Sequence, residues 1–183
     1  MKVMLKNVRL SFPDLFEAKG FQGSPPKFSA TFLINKTENG ELAYAPLMKA
    51  IDDVSKTAWR GKADSVVKQL MGNTQRWPVK DGDDKDYDGY KGHYSLKASN
   101  AARPLVVDRE RNPVAESDGV VYAGCYVNAL VDVWAQDNKY GKAINVKLQG
   151  VQFAKDGETF GAGGGARVED FDEISGGDDE IKW

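Results

Sequence analysis

Apolar and polar positions alternate with a period of two over several stretches of this chain, and the period lengthens to that of a helix only in one region between them. In residues 2–12 the second half sets Val8, Leu10 and Phe12 on one face and Asn7, Arg9 and Ser11 on the other, which predicts a half-buried strand. Pro13, Gly20, Gly23, Pro25 and Pro26 then interrupt the pattern. A second strand is predicted over 27–36, where Phe28, Ala30, Phe32 and Ile34 share a face. Beyond the Asn39-Gly40 turn, Leu47, Met48, Ile51, Val54 and Ala58 recur at helical spacing, with Pro46 acceptable in a first turn. Gly61 breaks that helix, and Ala63, Val66, Val67, Leu70 and Met71 predict a shorter one ending near Gly72.

Alternation returns over 93–99, with Tyr94, Leu96 and Ala98 on one side, and a short strand is predicted over 104–108. The clearest strand is 125–136, in which Cys125, Val127, Ala129, Val131, Val133 and Ala135 line one face and Trp134 falls on the other. Its partner is predicted over 143–154 across a turn at 137–141, with Gly150 shifting the alternation as a bulge does. The pattern predicts a mainly β fold with a helical insertion: a five- to six-stranded Greek-key barrel of the OB type, or a two-sheet sandwich of similar strand content. Residues 1–160 form the expected domain. The glycine-rich run from Gly161 to Ala166 predicts a flexible linker, so that 161–183 is a linker followed by an acidic tail.

Charge sharpens this picture. The chain of 183 residues has a net charge of -2, but 169–183 carries seven acids and one base, and the loop at 81–88 carries five aspartates and one lysine. Outside both segments 23 bases face 15 acids, a net of +8. Such polarisation suits a polyanion-binding body with an anionic arm able to compete for it; a solvated surface with a solubilising tail has the same composition. No apolar run reaches the length of a membrane span and the first residues do not form a secretory leader, so neither is expected. A single cysteine, Cys125, excludes an internal disulfide and predicts a reducing compartment.

Catalytic patterns are lacking. His93 is the only histidine, no nucleophile elbow is present, and the lysines at 62 and 142 lack the spacing of a phosphate-binding loop. No enzyme activity and no cofactor are expected. Asp84, Asp86, Asp88 and Gly89 match the first half of a calcium loop, yet Ser95 stands where the bidentate glutamate belongs, so a solvated acidic tip is expected rather than a metal site. What remains is aromatic residues interleaved with basic ones, the composition of a groove in which rings stack on bases and cations follow phosphates. Arg76 to Lys80, the segment containing Tyr90, Lys91 and Lys97, and Trp134 with the turn before Lys142 all have this character. The stacking candidates are Trp77, Tyr90 and Trp134, and the phosphate candidates are Arg76, Lys91, Lys97, Arg103 and Lys142.

Three segments carry a family resemblance: Val121-Tyr122-Ala123-Gly124-Cys125-Tyr126-Val127-Asn128-Ala129, then Tyr140-Gly141-Lys142-Ala143, then Leu148-Gln149-Gly150-Val151-Gln152-Phe153-Ala154-Lys155-Asp156-Gly157-Glu158. Together with the opening strands they resemble a family of bacteriophage single-stranded DNA-binding proteins. The resemblance implies an OB fold, an acidic C-terminal tail, and sequence-independent protection of single-stranded DNA during phage replication and recombination in the host cell cytoplasm. The charge of the tail points to recruitment of a phage polymerase or recombination proteins, and the sequence leaves an oligomer open. The competing reading is a non-catalytic adaptor that recruits replication partners through the tail without touching DNA.

Overall fold

The computed structural model describes residues 1–20, 22–160 and 171–174. Among these residues seven strands and two α-helices follow one another as β1 (Lys2–Lys19), β2 (Lys27–Asn35), α1 (Ala45–Trp59), α2 (Ala63–Met71), β3 (Val79–Asp81), β4 (His93–Asn100), β5 (Leu105–Val107), β6 (Tyr126–Asn138) and β7 (Gly141–Lys155). Antiparallel pairing gives the order β4-β2-β1-β6-β7, and a parallel contact between Ser99 of β4 and Lys147 of β7 closes these five strands into a barrel. This closure selects the OB-type barrel over the two-sheet sandwich. β3 extends the sheet beyond β4, and β5 runs parallel to β7 just past the closure point. No helix among the described residues is long and apolar enough to cross a membrane.

Closure needs a strand that can pair on both sides while it curves, and β1 supplies it by two irregularities. Its register against β6 shifts between Leu5 and Val8, where Asn7 has φ 57°. The Asn7 N–H donates to the Asn128 Oδ1 at 3.0 Å, and its carbonyl accepts from the Asn39 Nδ2 at 2.7 Å. Against β2 the register shifts between Ser11 and Asp14. Pro13 therefore does not end the strand as expected: it sits inside this bulge, where no ladder bond is required of its nitrogen. The same bulge corrects the predicted face of Phe12, which has φ 45° and is turned out to solvent while Leu10 and Leu15 are buried.

The barrel interior holds Leu5, Val8, Leu10, Phe32, Ile34, Leu96, Val127, Val131 and Leu148, the inward positions of the five strands. Helix α1 packs on β1 and β6 and contributes Leu47 and Ile51 to this core, with Pro46 in its first turn as expected. Alternation along β6 is as the sequence predicts, with Cys125, Val127, Ala129, Val131 and Val133 all buried. The bulge at Gly150 is also present: Leu130 pairs with Gly150 and Val131 with Leu148. Gly150 also admits β5, because a Cβ there would lie 3.1 Å from the Leu105 carbonyl oxygen.

The aspartate loop is anchored at its base. The Lys36 ammonium donates to Asp81 at 2.7 Å and to Asp83 at 2.9 Å, and Asp83 also accepts the Gly92 N–H at 2.7 Å. Asp81 is held below the ordinary 3.8 chiefly by its bond to Lys36, and Asp83 chiefly by the Gly92 N–H and then by Lys36. Asp84, Asp86 and Asp88 are exposed, and no three metal-ligating side chains converge among the described residues.

Both lowered carboxylates lie below their unfolded-state values. Any stability from the clamp is therefore complete above the ordinary 3.8 and is lost as the pH falls through the lowered values. The Gly92 amide should show a high exchange protection factor by NMR at neutral pH that collapses on acidification. In Lys36→Met that factor should already be reduced at neutral pH; an unchanged factor would refute the clamp.

Candidate nucleic-acid interface

An open groove of about 630 Å³ crosses the outside of the barrel over its closure point. One wall is the connection from α2 into β3, with Thr74, Gln75, Trp77, Pro78 and Lys80; the other is the outer face of β6 and β7, with Trp134, Gln136, Asn145 and Lys147. Lys97 and Ser99 of β4 lie between them, and Lys27 at the start of β2 stands at one end. Period-two alternation places these groups. With Val131 and Val133 inward, Trp134 is turned outward opposite Asn145, and Lys97 points away from a core that holds Leu96 and Ala98.

Among the described residues four lysines, Lys27, Lys80, Lys97 and Lys147, line the groove, and no carboxylate does. None of the four is in an ion pair among the described residues, whereas Lys36, Lys49 and Lys56 are each held by aspartates. Three of the groove's four side-chain amides, all but Gln75, donate to other protein groups. Asn100 Nδ2 donates to the Leu148 carbonyl at 2.8 Å, and Asn145 Nδ2 donates to Gln136 Oε1 at 2.9 Å. What the groove presents is unpaired positive charge and one ring, Trp134, 43% exposed.

The eight sequence candidates separate accordingly. Trp77, Lys97 and Trp134 line the groove, and the other five do not. Trp77 is only 6% exposed and belongs to the hydrophobic core, so it is wall rather than platform. Tyr90 is 4% exposed, its hydroxyl paired with Ser11 Oγ at 3.0 Å, and it packs near Phe12 and Tyr87 away from the groove. Neither ring offers a face to a base, which corrects the stacking expectation at both. Arg76 is a strut: its guanidinium donates to the carbonyls of Tyr140 and Lys142, both at 2.9 Å, and its own carbonyl accepts the Ile144 N–H. Arg103 donates to the Phe16 carbonyl at 3.0 Å and lies over the Phe28 ring. Lys91 is exposed in the loop before β4, and Lys142 lies 3.9 Å from Asp137 beside the groove.

Sequence reasoning passed over Lys27, Lys80 and Lys147 as candidates. Lys80 lies within the aromatic-basic stretch 76–80, and Lys147 falls on the outward phase of β7, so both carried a usable signal. Lys27 joins them only through strand order.

A closed five-stranded barrel with the helical insertion and a groove over the β4–β7 closure defines the oligonucleotide-binding class of barrel proteins. Within that class the chain belongs to the family described as Enterobacter phage Enc34, ssDNA-binding protein, which it matches over residues 1–181. The protein p50 of Acyrthosiphon pisum secondary endosymbiont phage 1 is 42% identical over 182 residues, covering 98% of this chain and 97% of that protein. Among solved structures, the single-stranded DNA-binding protein of bacteriophage Enc34 in complex with ssDNA superimposes with a TM-score of 0.72 at 31% identity, over 87% of this chain and 89% of that one. The fold is shared with gp2.5 of bacteriophage T7, a single-stranded DNA-binding protein, at a TM-score of 0.54 and 10% identity over 85% and 91% of the two chains.

The two tryptophans of the groove should behave oppositely on truncation. Trp77→Ala should cost about 3–5 kcal/mol in urea unfolding, as for a large core ring. Trp134→Ala should cost less than about 1 kcal/mol. A loss at Trp134 as large as that expected at Trp77 would mean that Trp134 is a core residue, and a loss at Trp77 as small as that expected at Trp134 would remove Trp77 from the core.

Proposed function

We propose that this protein binds single-stranded DNA without sequence preference and without catalysis, protecting it during phage replication and recombination in the host cytoplasm. The observation that carries the reading is the groove over the barrel closure, with no carboxylate and four lysines outside any ion pair among the described residues, and the exposed Trp134. Lysine ammonium groups follow a phosphate backbone as point charges, and an indole face accepts any base. The committed amides of Asn100, Gln136 and Asn145 leave Gln75 as the remaining side-chain amide of the groove, too few for a base-by-base readout, which supports tolerance of sequence. The Enc34 protein, whose structure is known with ssDNA, supports the same ligand class for this chain.

The predicted linker and acidic tail, 161–183, lie outside the described residues except for 171–174. In this reading the tail is the recruiting arm for a polymerase or recombination proteins, through its net charge of -6 over 169–183.

Binding of labelled oligo-dT followed by anisotropy across a salt series tests the groove. Four phosphate contacts at about 0.7 released counterions each give a log-log slope near -3, and each alanine at Lys27, Lys80, Lys97 or Lys147 should make it shallower by about 0.7. Trp134→Ala should weaken binding by about 1–3 kcal/mol and leave the slope unchanged. Duplex DNA bound as tightly as the single strand throughout the series would reject the groove, and absence of oligo-dT binding would favour the adaptor reading.

A further inference from the structure

A second hollow, of about 390 Å³, opens near the start of β6 and shares no residue with the groove. Its wall is aromatic. Phe12, turned outward by the β1 bulge, meets Tyr87 edge to face at 5.1 Å between ring centroids. Phe160 completes the wall beneath the Arg9 guanidinium, which lies 4.1 Å from its ring centroid. Gly89, at φ 81°, makes room for that ring, because a Cβ there would collide with it. Asp86 and Asp88 line the same hollow.

Aromatic faces beside carboxylates favour a cation that carries an apolar neighbour. The charge disfavours both a nucleic acid and the acidic tail of the chain itself. A matching element stands at the far end of β6. The β6–β7 turn presents Tyr140, 68% exposed, with the Lys139 ammonium 5.1 Å from its ring, and Arg76 grips the turn from behind by its carbonyls. Thirteen residues of β6 at about 3.3 Å each separate tip from hollow by about 40 Å, so the two cannot meet within one molecule. A contact of this kind between copies joins unlike surfaces, so it is heterologous and each copy can bind one neighbour at either end.

We propose that Lys139 and Tyr140 of one copy seat in the Phe12, Tyr87 and Asp86 hollow of the next, so that copies associate head to tail. Neither element lines the groove, so the association is independent of the DNA-binding reading.

Sedimentation velocity of the full chain without DNA, over a concentration series, tests it. The wild type should show a weight-average sedimentation coefficient that rises with concentration, less so at high salt. Lys139→Asp and Asp86→Lys should each weaken association about tenfold or more, because each sets like charges face to face. An equimolar mixture of these two variants should regain it, since each reversal then meets its complement. Tyr140→Ser should also lose association while binding an oligo-dT just long enough for one copy as the wild type does. A wild type that stays monomeric at every concentration overturns the proposal, as do charge reversals without effect, or a mixture that fails to recover. A tenfold loss of short-oligonucleotide binding in Tyr140→Ser overturns it too, by assigning that ring to DNA.

Discussion

The groove of this protein depends on one parallel contact, between Ser99 of β4 and Lys147 of β7. Without it the five strands would form an open sheet with two edges. With it, residues more than forty positions apart in the chain become neighbours across a seam, and the groove lies along that seam. The contact is feasible because β1 bends at Asn7 and again beyond Ser11, so that one strand pairs with β2 over one part of its length and with β6 over the other. The bulges are therefore part of what makes the groove, although neither lines it.

Charge is sorted in the same geometric way. The Asp81 and Asp83 carboxylates are drawn onto Lys36 at the base of their loop, while the lysines along the seam have no carboxylate partner among the described residues. The body is thus basic where it is open and internally compensated beside it. Salt bridges at this level of exposure add little to stability, but they decide which cations remain available to a ligand.

Most of the scaffold was legible in the sequence, because burial on one face writes itself as a period. The β6 run from Cys125 to Val133, the face of β2 at Ala30, Phe32 and Ile34, the two helices and the Gly150 bulge all appear where the alternation and the glycines put them. Local rules failed where tertiary pairing outweighed them. Pro13 should end a strand, yet a bulge absorbs it; β3 is three residues long and exists only as an addition to β4. The site was less legible than the scaffold. Trp77 and Trp134 both stand near basic residues, and only the packing of the 74–80 segment tells that the first faces inward. Lys27, Lys80 and Lys147 lie on different strands, and no spacing in the chain announces that closure will gather them.

Arg76 holds the β6–β7 turn by the main-chain oxygens of Tyr140 and Lys142 rather than by any side chain. Every amino acid supplies the same oxygen. Mutation at 139, 140 or 142 can therefore change what the turn displays without slackening the brace behind it. The path of the hairpin turn is thereby uncoupled from the side chains it displays, so the seam beside it keeps its shape whatever the tip presents.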